Sequence, residues 1–139
     1  MSPRTAHGDI KIDAKQLAST IAGIADEKKA LAIQVFDVDE HLGVADYFVI
    51  ITAQNRTHCR SLYNELHVRL KAGGEQHRPV EGADLGWWIV MDYGDVVVHL
   101  LQDEAREYYD LDHLYSECPT IDWRAVDVPP LLPGKTAEV

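Results

Sequence analysis

Six consecutive residues, Tyr47-Phe48-Val49-Ile50-Ile51-Thr52, are all aromatic or β-branched. Alternate side chains of a strand point to opposite faces of a sheet, so a run with no polar alternation predicts a central strand buried on both faces. A strand of that kind needs neighbours along its edges and helices over its faces, and the flanking patterns supply both. Asp13 followed by Gln16 has the form of a capping box, and Leu17, Ile21 and Ile24 then recur at helical spacing as far as Lys28-Lys29. Ala30 to Phe36 reads as a strand with Leu31, Ile33 and Val35 on one face, followed by a polar connection from Asp37 to Val44.

Asn55 is placed to cap a second helix, with Cys59, Leu62, Tyr63, Leu66 and Leu70 on one side and Arg56, Arg60, Asn64 and His67 on the other. Gly73-Gly74 stops it. Pro79-Val80-Glu81 reads as a short strand. Trp87 to Asp92 and Asp95 to Leu101 read as a hairpin turning on Tyr93-Gly94, and Asp103 to about Leu114 as a last helix. The order α-β-β-α-β-β-β-α predicts an α/β (α+β) fold with a mixed sheet of about five strands and flanking helices. The expected organisation is a flexible leader over 1–12, one domain over 13–124 and a proline-rich tail over 125–139.

Little in the chain points to catalysis. Asp37-Val38-Asp39 at a strand end has the form of a magnesium site for nucleotidyl transfer, but the turn Ala53-Gln54-Asn55 offers no glycine-rich phosphate cradle. His99 is enclosed by valine and leucine, as a hydrogen-bonded core histidine would be, and Cys59 lies on an apolar stripe. His58 and His67 are nine residues apart, too far to share a metal. Cys59 and Cys118 form no C-x-x-C pair and are expected as free thiols. No apolar run is long enough for a membrane helix, and the polar opening MSPRTAHGDIKID lacks the apolar stretch of an export signal. These features predict a cytoplasmic protein that is not an enzyme and holds no cofactor or metal.

Charge and aromatic residues point instead to binding. The net charge is −10, and Glu81 to Asp112 holds nine carboxylates against the single Arg106. Such a segment repels nucleic-acid phosphates and attracts a basic protein. Trp87 and Trp88 are adjacent in a predicted strand and Tyr108 and Tyr109 in a predicted helix, so neither pair can be buried equally. An exposed tryptophan or tyrosine among carboxylates has the composition of an interface hot spot.

In order and spacing these residues resemble the Iojap, or ribosomal silencing factor, family. The resemblance is carried by Asp46-Tyr47-Phe48-Val49-Ile50, Thr52 to Arg56 and Glu81-Gly82. It continues through the hairpin Trp88 to Asp95 with Val96-Val97-Val98-His99, and the closing series Glu104, Arg106, Tyr109, Leu111, Leu114 and Tyr115. Two positions depart from the family pattern: Ala53-Gln54-Asn55 replaces a Gly-Thr-Ser-like turn, and Tyr115 stands where tryptophan is frequent. The resemblance implies a nucleotidyltransferase-like fold without catalytic residues. It implies binding to the large ribosomal subunit through its protein uL-fourteen, which blocks subunit joining and lowers translation when nutrients are scarce. A homodimer of the free protein, and no nucleic-acid contact beyond minor ones to ribosomal RNA, are implied as well. By similarity the contact residues are Trp88, Asp92, Tyr93, Gly94, Tyr108, Tyr109 and Asp110. A large-subunit assembly factor acting at the same site is the nearest alternative; a metal-dependent nucleotidyltransferase is the more distant one.

Overall fold

The computed structural model describes residues 12–38, 45–80, 82, 86–110, 113 and 115–129. The first helix, α1 (Ala14–Glu27), starts with the expected capping box: Gln16 N–H donates to Asp13 Oδ1 at 2.8 Å and Asp13 N–H to Gln16 Oε1 at 3.1 Å. It ends at Lys28, and Lys29 takes a positive φ of 63°. Strand β1 (Ala32–Asp37) begins two residues later than its apolar pattern suggested. Leu31 therefore precedes the strand and is 54% exposed, not on the buried face with Ile33 and Val35.

Strand β2 (Tyr47–Ala53) is the double-faced central strand, pairing antiparallel with β1 on one side. Asn55 caps α2 (Arg56–Ala72) by accepting from His58 N–H at 2.8 Å. Cys59, Leu62, Leu66 and Leu70 of α2 are buried, whereas Tyr63 is only half-buried. The left-handed stop is Gly74, with φ of 96°, and not Gly73. Strands β3 (Trp88–Asp92) and β4 (Val96–Gln102) form the predicted hairpin, and β4 pairs parallel with β2 on its other side. The turn is shifted by one residue from expectation. Tyr93 N–H donates to Val96 O at 2.9 Å, so Gly94-Asp95 are the loop residues, with Gly94 at φ of 97° in the first position.

Among the described residues the sheet has four strands in the order β1-β2-β4-β3, not five. Residues 78–80 run beside the outer edge of β3, and Arg78 N–H donates to Asp92 O at 2.9 Å, but no ladder forms. Pro79 has no N–H to give, and the Arg78 carbonyl is taken by the His77 ring at 2.5 Å. Glu81 lies outside the described residues. Helix α3 (Asp103–Tyr109) is also shorter than expected: Asp110 adopts a left-handed conformation (φ 51°, ψ 49°) and ends it, while Leu111 and Leu114 lie outside the described residues.

One sheet face packs on α1 and α2 through Val35, Val49, Ile51, Ile89, Met91, Val98 and Leu100, all buried with Leu17, Ile21, Leu62 and Leu66. A second, smaller cluster on the opposite face joins Phe36, Phe48, Ile50 and Leu101 to Ala105 of α3. The chain after Ser116 then returns along β1. Asp37 N–H donates to Pro119 O at 2.8 Å, Ile121 N–H to Val35 O at 2.9 Å, and Thr120 forms an antiparallel bridge with Phe36. A 3-10 turn, Trp123–Ala125, lies against α1, where Arg124 meets Asp26 at 3.2 Å and Gln16 Nε2–H donates to Asp127 O at 3.1 Å.

Candidate docking surface

The second sheet face is unevenly covered. Over β1 and β2 it carries α3, held down by Arg106, which is 8% exposed. The guanidinium donates to Thr52 Oγ1 on β2 and to Gln34 Oε1 on β1. Arg106, the one cation of the acidic segment, is thus an internal anchor for α3 and presents no charge to a partner. Tyr115 covers the far end, its ring edge-on to Phe48 at 5.4 Å and tilted over Phe36 at 5.8 Å. Burial raises the Tyr115 phenol above its ordinary value, with the Cys118 thiol adding to the effect.

Over β3 and β4 the same face is half-open. Alternation along β3 leaves Trp88, Val90 and Asp92 half-buried while Ile89 and Met91 are buried, and Val97 of β4 is half-buried as well. Beneath them lies His99, 8% exposed, with its ring centre 5.0 Å from that of Phe48. Trp88 Nε1–H donates to His99 Nδ1 at 3.1 Å. An imidazole that accepts at Nδ1 is deprotonated there, so the neutral ring carries its proton on Nε2, which has no hydrogen-bond partner. Burial lowers the His99 pKa to about 4, which keeps the ring neutral at physiological pH. The expectation of a hydrogen-bonded core histidine thus holds for one of its two nitrogens. Its partner, Trp88, is thereby fixed in orientation on the sheet face.

The expected contact residues are not all available on this surface. Trp88 is on the open face, and Trp87 does not lie opposite it in the main core. Trp87 precedes the strand, so both indoles are half-buried against the second cluster. Asp92 flanks the face, accepting from Gly94 N–H at 2.8 Å and meeting Arg78 at 3.4 Å. Gly94 sits at the hairpin tip with open space around it. Tyr93 is the clear departure: it is 6% exposed, with its ring meeting that of His77 edge-on at 5.6 Å. As the residue entering the turn it points away from the face of Trp88 and Asp92, into the main core. Tyr108 is 77% exposed on α3, and Asp110 is exposed at its end; the Tyr109 side chain lies outside the described residues. Val90 and Val97 were missed as surface residues, although the period-two alternation with Trp88 and Asp92 pointed to Val90.

The carboxylates of α3 are exposed, and Asp103, Glu107 and Asp110 line a groove with Leu31, Ala32 and Gln34 at the β1 edge of the sheet. Of the other residues of the acidic segment, Glu81, Asp84 and Asp112 lie outside the described residues. The nucleotidyltransferase alternative rests on Asp37 and Asp39. Asp37 stands at the end of β1 with its amide tied to Pro119, Asp39 lies outside the described residues, and among the described residues no three potential ligands gather around one point. Cys59 is buried, its thiol donating to Leu100 O at 3.7 Å, and burial pushes its pKa to about 11. A thiol so far from ionisation is a packing residue and not a nucleophile. No helix among the described residues is long and apolar enough to cross a membrane.

Residues 11–137 match the family model described as ribosomal silencing factor during starvation, RsfS. The chain belongs to the ribosomal silencing factor family. It is 32% identical over 108 residues to the ribosomal silencing factor RsfS of Bacillus subtilis, covering 78% of this chain and 92% of that protein. A Treponema pallidum RsfS is 34% identical over 108 residues, with 77% and 96% covered. A mouse protein named for mitochondrial assembly of the ribosomal large subunit is 28% identical over 113 residues, 79% of this chain but 48% of that longer protein. A crystal structure of a Bacillus halodurans protein superposes with a TM-score of 0.68 at 26% identity, covering 78% of this chain and 98% of that one. The ribosomal silencing factors are ribosome-associated regulators.

Proposed function

We propose that this protein silences translation by docking its half-open sheet face on uL-fourteen of the large subunit, where it excludes the small subunit. The observation that carries this reading is the half-open strip of Trp88, Val90 and Val97, with the Asp92 carboxylate at its edge. A fixed indole with an apolar surround supplies a hot spot, and the net charge of −10 suits the basic surface of a ribosomal protein. The mechanism needs no turnover, only occupation of a surface that the small subunit requires. Trp88, Asp92, Gly94, Tyr108 and Asp110 remain as contact residues in this reading, and Tyr109 with them; Tyr93 acts from beneath, as the support of the hairpin.

The fold suits a nucleotidyltransferase-like scaffold that serves as a binding platform. The proposed organisation keeps a leader up to residue 12 and a tail from 125 around one domain, in a cytoplasmic protein that pairs with a second copy when free. Cosedimentation with purified large subunits tests the central claim. The wild type is expected in the heavy fractions, and Trp88→Glu at the top of the gradient with its melt still cooperative. Equal sedimentation of the two proteins would place the contact elsewhere.

A second reading, an assembly factor at the same site, is favoured by the name of the mouse relative, which concerns assembly of the mitochondrial large subunit. Depletion in growing cells separates the two. Silencing predicts normal subunits and uncontrolled translation on starvation, whereas assembly predicts immature large subunits during rapid growth.

A further inference from the structure

Away from the docking face, two histidines meet between the second half of α2 and the segment that follows it. His67 Nδ1 lies 2.8 Å from His77 Nε2, with ring centres 4.9 Å apart. His77 Nδ1 lies 2.5 Å from the Arg78 carbonyl oxygen. A carbonyl only accepts, so His77 carries a proton on Nδ1, and in the neutral ring its Nε2 must accept. The proton between the rings therefore belongs to His67 Nδ1. The two nitrogens meet at hydrogen-bond distance, and among the described residues no third potential ligand joins them to form a metal site.

Proton counting then gives the pair a threshold. One added proton is accommodated: His77 becomes the donor at Nε2, and His67 shifts its own proton to Nε2 and accepts at Nδ1. A second added proton sets two N–H donors and two positive charges against each other, and the bond cannot survive. Tyr63 stacks on His67 at 5.8 Å and Tyr93 meets His77 edge-on, both uncharged, and Lys71 adds positive charge one turn along α2. Glu75 and Arg78 flank His77 in the chain; Glu75 is buried, and Arg78 is engaged with Asp92 of β3. Burial first, then His77 and Lys71, lowers the His67 pKa below the ordinary histidine value.

The bond is one of several ties on the segment that follows α2. Glu75 N–H donates to Leu70 O at 2.8 Å, Arg78 N–H to Asp92 O at 2.9 Å, and Val80 packs on the main core. We propose that His67 and His77 form a proton-counting latch. It pins residues 75–80 over the outer edge of β3 while the pair holds at most one added proton, and releases them when it holds two. Opening frees the Asp92 carbonyl and the Tyr93 ring, and so loosens the hairpin from behind. The latch stands on the geometry of the free protein and is independent of what the docking face binds.

Amide exchange of Arg78, whose N–H reports the 75–80 attachment, tests this in the protein alone. The wild type is expected to lose at least tenfold in Arg78 protection between pH 7 and pH 5, after correction for intrinsic exchange. In His67→Asn the side-chain amide can donate to neutral His77 or accept from protonated His77, so the loss should stay under twofold. An equal loss in both proteins, or none in the wild type, overturns the latch. If His67→Asn does not fold, the ring nitrogens of the wild type decide by NMR. Protons on both Nδ1 atoms at neutral pH and two separated titration steps support it; independent titration of the two rings at the ordinary value overturns it.

Discussion

Acidification should destabilise this domain through His99 in a measurable and removable way. The ring is buried, neutral in the fold, and has a pKa of about 4 because burial disfavours its charged form. In the unfolded chain the same ring titrates near the ordinary value of about 6.5. A group whose folded pKa is depressed contributes stability that is complete above the unfolded value and is lost as pH falls towards the folded one. Between pH 4 and 6.5 the unfolded chain binds the extra proton, so stability falls with pH. The gap corresponds to about 3 kcal/mol when fully lost, of which about 1.5 kcal/mol has gone by pH 5.5 and about 2.5 kcal/mol by pH 4.5. Urea melts followed by far-ultraviolet circular dichroism at pH 7.5, 5.5 and 4.5 measure this directly. His99→Asn places an amide oxygen close to the Nδ1 position, keeping an acceptor for Trp88 Nε1–H while removing the titration. It should start less stable, having lost the ring packed against Phe48, but its stability should fall much less steeply with acid. Parallel losses in the two proteins would refute the assignment of the acid sensitivity to His99.

Other substitutions probe the frame around the face. A Cβ at Gly82, whose φ is 91°, would stand 2.1 Å from the Trp88 carbonyl oxygen, whereas one at Gly94, φ 97°, meets nothing within 4 Å. Gly82→Ala should therefore cost more than about 2 kcal/mol in a thermal melt and Gly94→Ala only the backbone strain of about 1 kcal/mol; equal costs would contradict the close approach. Arg106→Met removes the donors that tie α3 to Thr52 and Gln34. It should cost about 1–3 kcal/mol and raise amide exchange in α3 before the rest of the domain. If large-subunit binding falls while stability and exchange do not change, Arg106 is a contact residue after all.

The elements most legible in the sequence were those fixed by local chemistry. The Asp13–Gln16 box, the Asn55 cap and the apolar run of β2 each carry their own signature, and each is where expected. What escaped depends on distant atoms. The Pro79 segment has strand-like composition but loses its ladder to a missing N–H and a histidine ring, and α3 ends at an aspartate in a conformation usually left to glycine. The partial exposure of Trp88 was legible in the pair of adjacent indoles, although Trp87 precedes the strand and packs on the same cluster and not on the opposite face. The burial of Tyr93 was not legible, because the expected turn placed it at the hairpin tip, whereas it stands opposite Val96 and continues the buried alternation of Ile89 and Met91.

The strand order also bears on how this chain acquires its shape. β4 lies between β2 and β3, so the sheet has no connection from its early half to its late half until residues 96–102 are in place. The bridge from Phe36 to Thr120 then joins positions separated by 84 residues, the difference of the two numbers. Such long-range pairings are paid in loop-closure entropy before they return any contact, so folding should be slow for a domain of this size. While the chain is being made, α1, β1 and β2 emerge with an unpaired edge and an uncovered apolar flank. The nascent silencing factor therefore completes its own sheet only after residues 96–102 have left the ribosome.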